Sequence, residues 1–178
     1  MPQKYKLMIK DGWIKVINNG RIGELYHKDY MGLIEEGEVR LRPYEAVFLI
    51  YNDRAYIVDE HNKPLDLRDL LKKLISMDEN VWLKFLIYND LRRRGLLARE
   101  VEGRGIKFAV INKSKDDKIV SYYVYVIPEG EKVSFREIRN IINECIRLRK
   151  EPIIAIVDKE GNISYYSLSF FKGLLKAT

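Results

Sequence analysis

The chain has 178 residues, enough for one large domain or two small ones, each with a modest core. Apolar residues make up 47% and charged residues 33%, a balance typical of soluble globular proteins. The sequence contains no apolar run of about 18 residues, and its start lacks the apolar core of a secretory signal, so neither a membrane span nor secretion is expected. The single cysteine, Cys145, favours a reducing cytoplasm.

The formal net charge is +6. A cationic surplus suits a polyanionic partner, because each lysine or arginine beside a phosphate can release a bound counterion. A solvated surface rich in Lys/Glu pairs, as in many heat-stable proteins, explains the same composition. Charge alone therefore leaves nucleic-acid binding and an ordinary surface as alternatives.

Residues 1–79 are predicted to form a small α+β domain. Asp11-Gly12 between two alternating segments is a strong hairpin signal, Pro43 can occupy the first position of a helix, and Asp66 can cap another helix. The predicted elements are strands at Tyr5–Lys10, Trp13–Ile17 and Ala55–Val58, and helices at 43–51 and from 67 onward.

Residues 80–178 are predicted to form an α/β domain, with a mixed sheet flanked by helices. A helix runs from Val81 to Arg94, and Ser134 with Glu137 forms a capping box for a second helix. Strands are predicted at 96–100, 106–111 and 119–127. The apolar run Ile153–Val157 predicts a central strand buried on both faces.

Metal and cofactor sites are not expected. The two histidines, His27 and His61, stand far apart, and neither has a cluster of His, Cys or Asp at ligand spacing. The sequence has no glycine-rich loop of the kind that cradles nucleotide phosphates.

The order and spacing of motifs across residues 81–166 resemble the archaeal tRNA-splicing (tRNA-intron) endonucleases. The resemblance implies a restriction-endonuclease-like carboxy-terminal domain, and it extends more weakly into the first half. The segments that carry it are Tyr88-Asn-Asp-Leu-Arg-Arg-Arg-Gly95, Gly105-Ile-Lys-Phe108, Tyr122-Tyr-Val-Tyr-Val-Ile-Pro128 and the run from Arg149 to Asp158.

Metal-independent RNA cleavage needs a base for the ribose 2′-hydroxyl, an acid for the leaving oxygen and a cation near the phosphorane. The family assigns these roles to a tyrosine, a histidine and a lysine. By the resemblance, the tyrosine position is Ile111, the histidine position is Ile119, and the lysine is retained as Lys150. Lys107 stands where the family usually has an aspartate. No catalytic residue is therefore expected in this chain, because an aliphatic side chain cannot exchange a proton.

Two further features have both a functional and an ordinary explanation. The loop carrying Glu129 and Glu131 has the position of the family's acidic loop, which docks in a neighbouring subunit, although such a loop is also a common exposed turn. The basic residues are candidate RNA contacts or solvated charges, and for Lys150 a helix-end cation is the alternative. They are Arg92, Arg93, Arg94, Lys113, Lys115, Arg147, Arg149 and Lys150.

The resemblance thus implies a structural, non-catalytic subunit that pairs with a catalytic subunit in a cytoplasmic α2β2 assembly. That assembly cleaves precursor tRNA at bulge–helix–bulge junctions, leaving a 2′,3′-cyclic phosphate and a 5′-hydroxyl. Two alternatives stay open: an active nuclease with relocated acid and base groups, or a stand-alone protein that binds structured RNA.

Overall fold

The computed structural model describes residues 4–17, 20, 23–112 and 119–169. The chain divides into two compact units, residues 1–92 and 93–178. The helix that begins at Val81 is grouped with the first unit. The division at residues 79 and 80 stays a prediction.

The first unit contains a five-stranded sheet with the strand order β3-β4-β2-β1-β5. The pair β1·β5 is parallel and the other pairs are antiparallel. The elements are β1 (Tyr5–Lys10), β2 (Trp13–Ile17), a π-helical turn (Glu24–Lys28), β3 (Leu33–Glu35), β4 (Glu38–Leu41), α1 (Pro43–Tyr51), β5 (Ala55–Val58), α2 (Leu67–Met77) and α3 (Val81–Arg93).

The turn and helix-cap residues of the first unit adopt the predicted conformations. Asp11 and Gly12 both have positive φ angles, 52° and 73°, as a two-residue hairpin turn requires, and Lys10 pairs with Trp13 across it. Asp66 caps α2 by accepting a hydrogen bond from the Asp69 amide at 2.8 Å. The strands β3 and β4 and the π-helical turn were not predicted, because each is short; β3 and β4 form a hairpin, and β4 also pairs with β2. Asn18-Asn19-Gly20 is a further turn signal in the sequence, but Asn18 and Asn19 lie outside the described residues.

The second unit contains a mixed five-stranded sheet, β10-β9-β8-β7-β6, in which only β8·β9 is parallel. Its elements are β6 (Leu96–Glu100), β7 (Ile106–Asn112), β8 (Val120–Pro128), α4 (Phe135–Leu148), β9 (Glu151–Val157) and β10 (Ile163–Ser167). The Ser134 hydroxyl accepts from the Glu137 amide and the Glu137 carboxylate accepts from the Ser134 amide, so the predicted capping box is present. β9 is an interior strand, as predicted, since it lies between β8 and β10. The neighbouring residues Ile154 and Ala155, which point to opposite faces of the sheet, are both buried.

A buried carboxylate fixes the chain between the π-helical turn and α1. Glu45 is fully buried and accepts hydrogen bonds from the Gly32 amide at 3.0 Å and the Arg42 amide at 2.8 Å. Gly32 has φ +73°, and a Cβ atom there would lie 2.7 Å from Val39 Cγ1 and 2.9 Å from the Arg40 carbonyl oxygen. This close approach explains why the position holds glycine.

Replacing Gly32 with alanine should destabilise the protein by about 3 kcal/mol or more, since backbone strain and a steric clash add at one site. Gly37→Ala is the matched control, because Gly37 has φ +79° and nothing within 4 Å of its Cβ position. The control should lose only about 1–2 kcal/mol. Urea unfolding of both variants measures the difference, and equal losses would contradict the role of the close approach.

Candidate functional site

Three positions implied by the family resemblance meet at one edge of the second unit's sheet. Ile111 at the end of β7 pairs with Val120 at the start of β8, directly after Ile119. The Lys150 ammonium donates a hydrogen bond of 2.6 Å to the Val120 carbonyl oxygen. The structure therefore brings residues 111, 119 and 150 together, as the resemblance requires if they correspond to the family's tyrosine, histidine and lysine.

The junction between α4 and β9 places Lys150 there. Arg149 adopts the left-handed conformation, with φ 54° and ψ 45°, and ends the helix. The Lys150 amide then donates to the Cys145 carbonyl oxygen at 2.8 Å, which closes the last turn of α4. Because β9 starts here and runs parallel to β8, the beginnings of both strands share one edge of the sheet.

The side chains at this edge do not form an acid–base pair. Ile111 is buried, Ile119 is 59% exposed, and neither can take up or release a proton. Lys150 supplies a cation at this edge, and its ammonium donates to a backbone carbonyl. Of the three groups that metal-independent RNA cleavage needs, residues 111, 119 and 150 therefore provide only the cation.

Two tyrosines of β8, Tyr123 and Tyr125, make contacts away from this edge. Tyr125 is buried, and its hydroxyl lies 3.1 Å from Glu144 Oε2 and 3.6 Å from Cys145 Sγ. Burial, together with its hydrogen bond to Cys145, raises the pKa of the Tyr125 phenol above its usual value. Tyr123 packs its ring 5.1 Å from the Lys107 ammonium. Both side chains belong to a polar cluster on the α4 side of the sheet.

Lys107 is the centre of this cluster. Its side chain is 9% exposed, and its ammonium lies 2.7 Å from Glu144 Oε1. The hydrogen bond from Lys107 lowers the pKa of Glu144 more than any other contact. Burial raises the pKa of the Cys145 thiol and favours its neutral form. By the resemblance, Lys107 stands where the family usually has an aspartate. Its partner Glu144 was not predicted, because only the packing of α4 on the sheet brings the two residues together.

Arg92 needs a correction as a candidate RNA contact. Its side chain is 6% exposed, donates at 2.6 Å to the Asp29 carbonyl oxygen and lies over the rings of Phe48 and Tyr88. The guanidinium therefore stabilises the interior of the first unit and is not presented to a ligand. The sequence shows three consecutive arginines, but not that the first of them turns inward.

The other basic candidates lie at the surface or outside the described residues. Arg93, Arg147 and Arg149 are exposed, and the exposed Arg94 places its guanidinium 5.2 Å from the centre of the Tyr165 ring. Lys113 and Lys115 lie outside the described residues.

Glu129 and Glu131 are exposed on the connection between β8 and α4. The Glu129 amide donates to the Val157 carbonyl oxygen at 2.8 Å, the Glu131 amide to the Pro128 carbonyl oxygen at 3.1 Å, and Gly130 has φ 86°. The loop is thus held in a defined turn that displays two carboxylates. It borders a hollow of about 230 Å³ against α4.

Across residues 4–17, 23–112 and 119–169, no group of three or more His, Cys, Asp or Glu side chains is arranged to hold a metal ion. In the same part of the chain, no helix is both long enough and apolar enough to cross a membrane.

Comparison with known proteins now identifies the family. Residues 81–165 match the family model "tRNA intron endonuclease, catalytic C-terminal domain". A tRNA-splicing endonuclease of Methanococcus vannielii is 31% identical over 165 residues, covering 92% of this chain and 93% of the relative. The chain belongs to the tRNA intron endonuclease family. The family predicted from the motifs is therefore confirmed.

Other tRNA-splicing endonucleases support the same assignment. The protein of Methanococcus maripaludis is 30% identical over 92% of this chain and 93% of its own length. That of Thermococcus kodakarensis is 30% identical over 85% of this chain and 89% of its own length. The similarity of this tRNA intron endonuclease family member therefore extends beyond the matched carboxy-terminal domain into the first unit.

The pair Lys107–Glu144 should contribute about 1–2 kcal/mol of coupling energy to stability, between the ranges for exposed and buried pairs. Urea unfolding of Lys107→Met, Glu144→Gln and the double variant near pH 7 measures this coupling in a double-mutant cycle. The lowered pKa of Glu144 means that this contribution is present above the unfolded value, near 4.5, and is lost as the pH falls through the lower folded value. The coupling should therefore fade at low pH, and a coupling that is zero near pH 7 would contradict the geometry.

Proposed function

We propose that this chain is a structural, non-catalytic subunit of an archaeal, cytoplasmic tRNA-splicing endonuclease. In this proposal the chain combines an amino-terminal domain, residues 1–79, with a restriction-endonuclease-like carboxy-terminal domain, residues 80–178. It pairs with a catalytic subunit in an α2β2 assembly. The assembly cleaves precursor tRNA at bulge–helix–bulge junctions, with 2′,3′-cyclic phosphate and 5′-hydroxyl products.

The observation that carries the proposal is the chemistry of the edge formed by Ile111, Ile119 and Lys150. Family membership supports an RNA substrate. The side chains where acid and base belong are aliphatic, and loss of either group alone costs roughly a hundredfold or more in rate. A chain that has the family's fold but lacks the acid and the base needs a partner that supplies them.

The stability of the fold does not depend on those groups. Ile111 is buried in the core, Ile119 is exposed, and Lys150 joins α4 to β8 through a backbone carbonyl. A duplicated subunit can therefore lose its chemistry and retain its surfaces. The displayed carboxylates of Glu129 and Glu131 are the candidate surface for docking in a basic cleft of the partner.

Co-expression with a catalytic subunit that carries the tyrosine, histidine and lysine should give a heterotetramer on a sizing column. The complex should cleave a bulge–helix–bulge RNA at least about a hundredfold faster than this chain alone. Separate species on the column would refute the subunit assignment. Cleavage by the purified chain alone, abolished by Lys150→Ala, would establish an active nuclease instead.

Reversing both loop charges, Glu129→Lys with Glu131→Lys, should weaken assembly about tenfold or more, because like charges would then meet at the docking surface. Glu102→Lys with Glu160→Lys is the matched control, since both residues are exposed in the same unit and the change in net charge is equal. Analytical ultracentrifugation of each variant with the partner measures the dissociation constant. If the two double variants assemble equally well, the loop has no docking role.

A further inference from the structure

The sheet of the first unit has one buried face and one exposed face. In β1 and β2 the alternate residues Tyr5, Leu7, Ile14 and Val16 are buried. The intervening residues point the other way, because side chains alternate along a strand. The open face, as we name it here, is formed by Lys6, Lys10, Trp13, Lys15, Arg40 and Tyr56.

Two aromatic–lysine pairs lie on this open face. Lys10 is the cross-strand partner of Trp13, and Lys6 is the cross-strand partner of Tyr56. Trp13 is 42% exposed and Tyr56 is 46% exposed, which is high for residues within a sheet. Each exposed ring therefore stands next to a lysine in the register of the sheet.

The centre of the open face is held rigid by internal ion pairs. The Lys15 ammonium lies 2.7 Å from Glu38 Oε2, and Arg40 pairs with Glu35 and, at 3.7 Å, with Glu36. Arg40 also places its guanidinium 5.0 Å from the centre of the Trp13 ring. The two central cations are thus paired with three carboxylates, so they add no positive charge to the face, and Arg40 lies against the tryptophan ring.

The charge that remains on the open face comes from Lys6 and Lys10. In the described part of the chain neither lysine forms an ion pair, although Lys10 is near enough to help lower the pKa of Glu38, where the hydrogen bond from Lys15 is the main cause. The two lysines lie four residues apart on β1, about 13 Å along the strand. The face therefore offers two lysines and two exposed rings, placed on either side of a centre in which two cations are paired with carboxylates.

Unpaired RNA has the matching chemistry. Its bases stack on exposed aromatic rings without regard to sequence, and its phosphates attract lysine ammonium groups. A regular duplex fits less well, since its bases are stacked on one another and cannot reach the rings. We propose that the open face binds an unpaired stretch of RNA, with bases on Trp13 and Tyr56 and phosphates near Lys6 and Lys10. This binding site goes beyond the proposed subunit role and does not depend on it.

Fluorescence anisotropy with a labelled oligouridylate of about twelve nucleotides tests the proposal on the full chain. Trp13→Ala should weaken binding about tenfold or more, while Trp13→Phe should retain most of it. Lys6→Gln with Lys10→Gln should reduce the slope of log affinity against log salt by about 1.4, which corresponds to two lost phosphate contacts.

Controls lie elsewhere in the same unit. Lys72→Gln with Lys73→Gln removes the same charge from the exposed side of α2, and Tyr51→Ala removes a ring that is 68% exposed on α1. Both controls should bind like the wild type, and circular dichroism checks that every variant is folded.

The proposal is overturned if the wild type does not bind, or if control and open-face variants lose affinity equally. It is also overturned if the open-face changes abolish assembly with the catalytic subunit and leave RNA binding intact, because the face is then a protein interface. The subunit role is tested separately, by cleavage and assembly of the wild-type chain, so failure of this proposal leaves that test unaffected.

Discussion

The parallel pairing of β8 with β9 is the constraint on which the candidate site depends. Antiparallel neighbours can be joined by a tight turn, but a parallel pair requires a crossover, and α4 supplies it here. The crossover returns the chain to the edge where β8 begins, so that Lys150 arrives beside residues 119 and 120. The antiparallel pair β7·β8 brings Ile111 to the same place. Topology alone therefore assembles the three positions, whatever side chains occupy them.

Because the backbone arrangement does not depend on these side chains, the fold can persist without the reacting groups, as the proposed subunit role requires. Ile111 is buried where a polar group would require a partner, and burial of an apolar side chain has no such requirement. The Lys107–Glu144 pair shows the same independence from catalysis. A cation stands at a position where the family usually has a carboxylate, and α4 provides a carboxylate that neutralises it. At both positions the immediate neighbours accommodate the buried side chain: Ile111 needs no polar partner, and Lys107 is paired with Glu144.

The sequence predicted those elements whose ends carry a chemical signal. Asp11-Gly12, Pro43, Asp66 and the Ser134 capping box each specify a backbone conformation through neighbouring residues, and all four elements are present. The short strands β3 and β4 pair with each other across a two-residue turn, and β4 joins the sheet through β2, which is more distant in sequence. The candidate site was predictable only through the resemblance. Residue 111 lies on β7 and residue 119 directly precedes β8, residue 150 follows only after the crossover helix, and no periodicity relates the three.

The ion pairs made by the basic side chains show why net charge is a weak guide to RNA contacts. Arg92, Lys107, Lys15 and Arg40 all neutralise carboxylates within their own unit, so they contribute to the +6 surplus without being offered to a ligand. A lysine that lies beside an exposed ring and lacks a carboxylate partner is different, because its charge and the adjacent π-face can act on the same nucleotide. In the described part of the chain, Lys6 and Lys10 meet this description. The run of three arginines is more conspicuous in the sequence, but it begins with Arg92, whose side chain is only 6% exposed. Local environment, and not the number of basic residues, decides where such a chain can meet a polyanion.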